Sequence, residues 1–199
     1  MTGGILDATD KFVNYGGCLA IYSGTANLTG AELYGGTANG SGGGAISVAG
    51  GTVNATNCTI QNGFAANKGE DPKFGGGCVN VGSGTFNMVG GSITGGSAAS
   101  GHGGGLNARP SSIVTISGNA VIIKNEGTNV YLSDGRAITI GEAGIGEDAY
   151  IGVSMANPGN FTSNAVDAAQ QGAFISDSDA YDVAANDDGT LKLVAKAAE

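Results

Sequence analysis

The chain has 199 residues, a mass of 19.3 kDa, a formal charge of −9, 39 glycines and no tryptophan. Only 13% of its residues are charged, about half the usual share of roughly 25%, which excludes a charge-rich disordered chain. The glycines keep no three-residue period, so collagen is excluded. Its 8 Lys and Arg are too thinly spread for a basic nucleic-acid binder. No apolar run approaches the ~18–20 residues that a membrane-spanning helix needs.

Residues 1–15 read as part of a first turn of a coil, with Phe12, Val13 and Tyr15 as candidates to cover its open end. Met1-Thr2-Gly3-Gly4 has neither the basic start nor the apolar core of a signal peptide. So abrupt a start points to a segment of a longer polypeptide.

From Gly16 the chain repeats itself. The first copy reads Gly16-Gly17-Cys18-Leu19-Ala20-Ile21, then Gly24-Thr25-Ala26-Asn27-Leu28, then Leu33. The second reads Gly43-Gly44-Ala45-Ile46-Ser47-Val48, Gly51-Thr52-Val53-Asn54-Ala55, Ile60. The third reads Gly76-Gly77-Cys78-Val79-Asn80-Val81, Gly84-Thr85-Phe86-Asn87-Met88, Ile93. A looser fourth has Leu106, Ala108, Val114, Ile116 and Val121, and a fifth has Val130, Leu132, Ile138 and Ile140.

Each copy holds three short segments of period-two alternation separated by glycine corners, the pattern of strands with one buried face. A repeat this short cannot close a core alone and must stack on its neighbours. The expected fold is all-β: a right-handed parallel β-helix of about five to six turns, with three short strands each, over residues 1–155. Leu19, Ile46, Val79 and Leu106 form one expected inward column; Ala26, Val53, Phe86, Val114 and Ile138 form another. Leu33, Ile60, Ile93 and Val121 form a third. Asn27, Asn54 and Asn87 face outward between inward residues and suit a polar ladder. Residues 156–199 read as an acidic C-terminal cap. It contains a short helix over 163–172 and a hairpin whose strands flank Asn186-Asp187-Asp188-Gly189.

Few residues qualify for chemistry. Cys18 and Cys78 occupy one column two turns apart, about 9–10 Å, too far for a disulfide; Cys58 lies at another corner. The three thiols read as packing residues. The longest corner loop runs from Phe64 to Phe74 and gathers Phe64, Asn67, Glu70, Asp71 and Phe74. With the single histidine, His102, these are the candidate ligand-binding residues. Glu70 and Asp71 are weak candidates to hold calcium; no cofactor is expected. The run Asp177, Asp179, Asp182, Asp187, Asp188 lacks the glutamate of an EF-hand loop and reads as solvated surface. Paired carboxylates of the glycosidase kind are missing from the turns, so no catalytic residues are assigned. Arg109 lacks an acid in its own turn.

The stretch 75–93, Gly-Gly-Gly-Cys-Val-Asn-Val through Gly-Thr-Phe-Asn-Met-Val-Gly-Gly-Ser-Ile, resembles the β-helical repeats of large surface proteins of gut Firmicutes. Asn129–Ile140 looks like the last turn of such proteins before their cap. Gly43-Gly44-Ala45-Ile46 with Phe64-Ala65-Ala66-Asn67 is similar to the paired motifs of chlamydial polymorphic outer-membrane adhesins. The resemblance implies a non-catalytic, extracellular or cell-surface bacterial module, a rigid structural or adhesive segment of a larger exported protein. Its partners would be host or bacterial surface glycans or proteins, with no nucleic acid and no membrane insertion. The alternative is a carbohydrate-binding or carbohydrate-active β-helix of the lyase or glycosidase kind.

Overall fold

The computed structural model describes residues 1–69 and 74–197. The described chain is a parallel β-solenoid of about six turns. A partial turn holds β1 (Ile5–Asp7) and β2 (Phe12–Val13). The next holds β3 (Leu19–Ile21), β4 (Thr25–Thr29), β5 (Glu32–Tyr34) and β6 (Thr37–Ala38). Then come β7 (Ile46–Val48), β8 (Thr52–Thr56), β9 (Thr59–Gln61) and β10 (Phe64–Ala65), followed by β11 (Val79–Val81), β12 (Thr85–Thr94) and β13 (Ser97–Ala98). The remaining coil is β14 (Leu106–Ala108), β15 (Ile113–Ile122), β16 (Val130–Leu132), β17 (Ile138–Ile145) and β18 (Tyr150–Met155).

Alternating apolar residues at matched positions make the columns. Leu19 lies on Ile46, then Val79, Leu106, Val130 and Val153, each pair parallel and in register. Ala26, Val53, Phe86, Val114 and Ile138 stack likewise on the second sheet. Beyond the first turn these side chains are buried. On the outside, Asn54 Nδ2 donates to Asn27 Oδ1 at 2.7 Å and Asn87 Nδ2 to Asn54 Oδ1 at 2.8 Å. This is the amide ladder that the column predicts.

Four expectations are corrected. The third inward column runs Leu6, Leu33, Ile60, Ile93, Ile122, Ile151, so Ile122 and not Val121 points inward. The cause is a register shift: Val89 pairs Ser117 but Gly91 pairs Ala120. The extra residue reverses the alternation. Second, the turns do not all have three strands. The pairs β2, β6, β10 and β13 form a short fourth sheet, while β12 and β15 each run ten residues through what reads as a glycine corner. Third, Phe12 and Tyr15 do not cover the open end. Phe12 is 75% exposed and Tyr15 packs edge-on against the exposed Tyr22. Leu6 and Ala8 are the residues of this segment that face the core. Fourth, the helix over 163–172 is a 3₁₀ turn, Ala168–Ala173, capped by the Asp167 side chain. The residues before Asp167 bind the coil and the hairpin instead: Asn164 Oδ1 accepts from Ile140 N, and Val166 N bonds Gly189 O.

The glycine pairs do more than turn corners. Gly43 and Gly76 fold back over the outside of the first sheet, where a Cβ would collide with the carbonyls of Ile46 and Val79 and with the backbone of Asn80. Gly76 also sits at φ +72°, which glycine adopts without steric cost. As a result Ser47, Asn80 and Asn107, outward in the strand pattern, are buried. Asn80 Nδ2 donates to Ser41 O, and Asn107 Nδ2 to Asn80 Oδ1 at 3.1 Å, so both buried amide nitrogens find an acceptor.

At the C-terminal end, β19 (Phe174–Ser176) adds in parallel to β18. Thr162 bridges to Ile138, and the buried Phe161 packs its ring 5.6 Å from that of Phe174. The hairpin β20 (Tyr181–Ala185) and β21 (Leu191–Ala195) is antiparallel, and Phe161 N bonds Leu191 O at 2.8 Å. The first sheet's other edge, β3, pairs with β7 alone; Leu19 and Ile21 on it, and Ala26 on β4, are only partly covered.

Candidate functional site

The longest corner loop leaves the coil at β10. Phe64 is 38% exposed and lies between Thr37 and Ser97 on the short fourth sheet. One turn beyond Thr37 is Phe12, so two exposed aromatic rings share one outward column. Asn67 Oδ1 accepts from Gly69 N at 3.0 Å, an Asx turn, and the Phe74 ring lies over Gly69. Ser100 Oγ donates to Phe74 O at 2.8 Å. Glu70 and Asp71, and with them the calcium expectation, lie outside the described residues.

His102 belongs to the next corner. Gly76 N bonds its carbonyl at 2.9 Å. Its ring stacks on Tyr131 with centroids 4.5 Å apart and a 38° tilt. Nδ1 is shut off from solvent without a partner. The histidine therefore braces one turn against the next. Through Ser100 and Gly76 the structure brings the 74–76 and 100–102 backbones together. Tyr131, an aromatic that the sequence offers as a platform for a carbohydrate, follows Asn107 in the outward column and meets the histidine there.

The thiols are packing groups. Cys18 Sγ donates to Tyr34 O at 3.1 Å and to Leu6 O at 3.3 Å, and Cys78 Sγ to Thr94 O at 3.6 Å. Burial pushes the Cys18 thiol up to about 11 and the Cys78 thiol up to about 12. Both are therefore held as the protonated thiol at neutral pH, which slows their reaction as nucleophiles. All three cysteines are free.

Two of the acidic run, Asp188 and Asp177, hold a turn and a docking contact. Asp188 Oδ1 accepts from Thr190 N at 2.9 Å and Thr190 Oγ1 at 2.6 Å, and these bonds hold its carboxyl below the usual range. Asp177 accepts from Asn129 N at 2.7 Å and Asn129 Nδ2 at 2.6 Å, tying the segment after β19 to the coil. Burial outweighs those bonds and raises its carboxyl. Asp179 and Asp182 border a groove of about 520 Å³ beside Tyr181 and Lys196, whose ammonium lies 3.6 Å from Asp182. Among the described residues no three His, Cys, Asp or Glu side chains gather into a metal-binding group. Comparison of the chain with protein-family models, with curated proteins and with solved structures returns no match.

Proposed function

We propose that this chain is a non-catalytic β-helical module, a rigid structural or adhesive segment of a larger exported bacterial surface protein. The observation that carries the reading is where the polar groups go. Side chains that chemistry would need are bonded along the axis: Asn27, Asn54 and Asn87 in one ladder, Asn80 and Asn107 in another. His102 is stacked, and the thiols face the interior. A coil whose neighbours are joined by both backbone and side-chain ladders is stiff along its axis. The resemblance of 75–93 to surface-protein repeats supports export. The test is product release. The purified chain, incubated with a pectin and mucin panel, is expected to release no reducing ends. Release above a heat-denatured control overturns the reading.

A carbohydrate-binding role is the second reading. It is favoured by Phe12 and Phe64, exposed in one column with Thr37 between them. Loss of neutral-glycan binding in Phe12→Ala/Phe64→Ala supports it.

A further inference from the structure

The chain has two arginines, Arg109 and Arg136, and the coil places them at one corner of adjacent turns, Arg136 three residues beyond the position that aligns with Arg109. Each corner is a tight turn closed the same way. Ser112 N bonds Arg109 O and Arg136 N bonds Ser133 O, both at 2.9 Å. Ser133 N bonds Ala108 O at 3.0 Å, which places Ser133 in the Arg109 position of the next turn.

Both guanidinium groups reach back along the axis by one turn. The Arg109 Nη1 occupies the space outside Gly82, 3.4 Å from where a Cβ would stand. The Arg136 Nη1 points to Ser112 O at 3.5 Å. The two guanidinium groups therefore reach successive turns of the coil, which are spaced about 4.8 Å along the axis. A cleft of about 230 Å³ opens beside Arg109 between Gly82, Ser83 and Ser111.

These groups have unmet demand. The Nε atoms of both arginines and the Oγ of Ser133, which is 1% exposed, are closed off from solvent without a partner, so each guanidinium offers a ligand only its Nη end. Arg109 makes no side-chain hydrogen bond among the described residues, and Arg136 makes only the long one. The one ion pair among the described residues joins Lys196 to Asp182, so neither guanidinium is neutralised by contact. Two arginines on adjacent turns, neither in contact with a carboxylate among the described residues, on a chain of net charge −9, suit an external anion. The planar fork of a guanidinium matches a carboxylate or sulfate in two-point contact.

We propose that this corner binds the carboxylate or sulfate groups of an acidic glycan, Arg109 holding one and Arg136 the next along the axis. The proposal deepens the adhesive part of the reading above and rests on it. A nucleic acid is disfavoured, because its dense phosphates would meet the acidic remainder of the chain and there is no stacking ring in the cleft.

The test uses one polymer backbone with three decorations: dextran sulfate, carboxymethyl dextran and neutral dextran, immobilised and titrated with the whole chain. Saturable binding is expected to one or both anionic forms, identifying the group, and not to neutral dextran. Arg109→Gln/Arg136→Gln is expected to weaken it by at least about tenfold. Lys124→Gln, which removes one charge at another corner, is expected to leave it unchanged. Arg109→Lys/Arg136→Lys keeps the charge, covers the case in which the glutamine pair fails to fold, and is expected to weaken binding because the fork is lost. Binding undiminished in both double variants, equal binding to neutral dextran or to single-stranded DNA, or no binding to either anionic form overturns the proposal. No binding with no product release overturns this proposal alone and leaves the rigid-module reading standing.

Discussion

Phe86→Ala is the sharpest test of the stacked core. Phe86 is fully buried and lies in register between Val53 and Val114. Both neighbours belong to strands pinned by backbone ladders on each side, so they cannot move in to fill the space. Removing the benzyl group leaves a void on the order of 100 Å³, which at about 24 cal/mol per Å³ costs about 2.4 kcal/mol. The lost transfer of the ring adds about 2 kcal/mol, so the total is about 4 kcal/mol, inside the ~3–5 kcal/mol range for such changes. For a domain of this size each kcal/mol moves the melting temperature by about 2–4 °C, so a drop of about 8–16 °C is expected. The assay is urea and thermal unfolding by far-UV circular dichroism and tyrosine fluorescence, since the chain has six tyrosines and no tryptophan. Val89→Ala is the control. It lies on the same strand but is 39% exposed, and its cost is expected within about 0.5 kcal/mol. A Phe86→Ala loss below about 1.5 kcal/mol, or equal losses in the two variants, refutes the packed column.

Gly44→Ala is expected to destabilise by more than about 3 kcal/mol, because its Cβ would strike the Phe64 nitrogen and the Gly36 and Gly77 carbonyls. Gly172→Ala, with nothing within 4 Å, is expected neutral or stabilising by up to about 1 kcal/mol in the same unfolding assay. Native Cys58 and Cys78 are expected to resist a thiol-titrating disulfide at pH 8, and Cys18 to react slowly, its reactivity climbing as pH nears 11; in denaturant all three react. Asp177→Ala leaves the Asn129 N–H and Nδ2–H donors without their acceptor and is expected to cost about 1–3 kcal/mol. The folded carboxyl of Asp177 is raised by burial, so the native state binds its proton more readily than the unfolded chain. The contribution of Asp177 therefore grows as pH falls through the folded value, and the gap between wild type and Asp177→Ala is expected to widen on acidification. A gap that narrows contradicts the burial argument.

The coil itself was readable from one sequence because its signal is repeated. Leu19, Ile46, Val79 and Leu106 recur after the same double glycine, and alternation on either side assigns their face. The errors fall where that signal is one residue deep. Nothing in Ser117-Gly118-Asn119-Ala120 announces that one residue bulges out and hands the inward position from Val121 to Ile122. Two-residue strands such as Phe12–Val13 and Phe64–Ala65 carry too little alternation to be seen, so the shared aromatic column was invisible. Of the candidate ligand residues, Phe64, Asn67, Phe74 and His102 lie at neighbouring corners, but the roles of Asn67 and His102 are local bracing.

What the amino-acid order determined alone is the stacking: columns of like residues, an outward asparagine ladder and glycine corners, all consequences of period-two alternation and repeat spacing. What only the tertiary structure decided is which side chains meet across turns. Arg109 reaches over Gly82, Asp177 clamps Asn129, and His102 rests on Tyr131. Each pairing joins residues 27 or more positions apart, through loops that no repeat constrains. Their contacts depend on where the backbone places each corner, and that is set only when the turns pack.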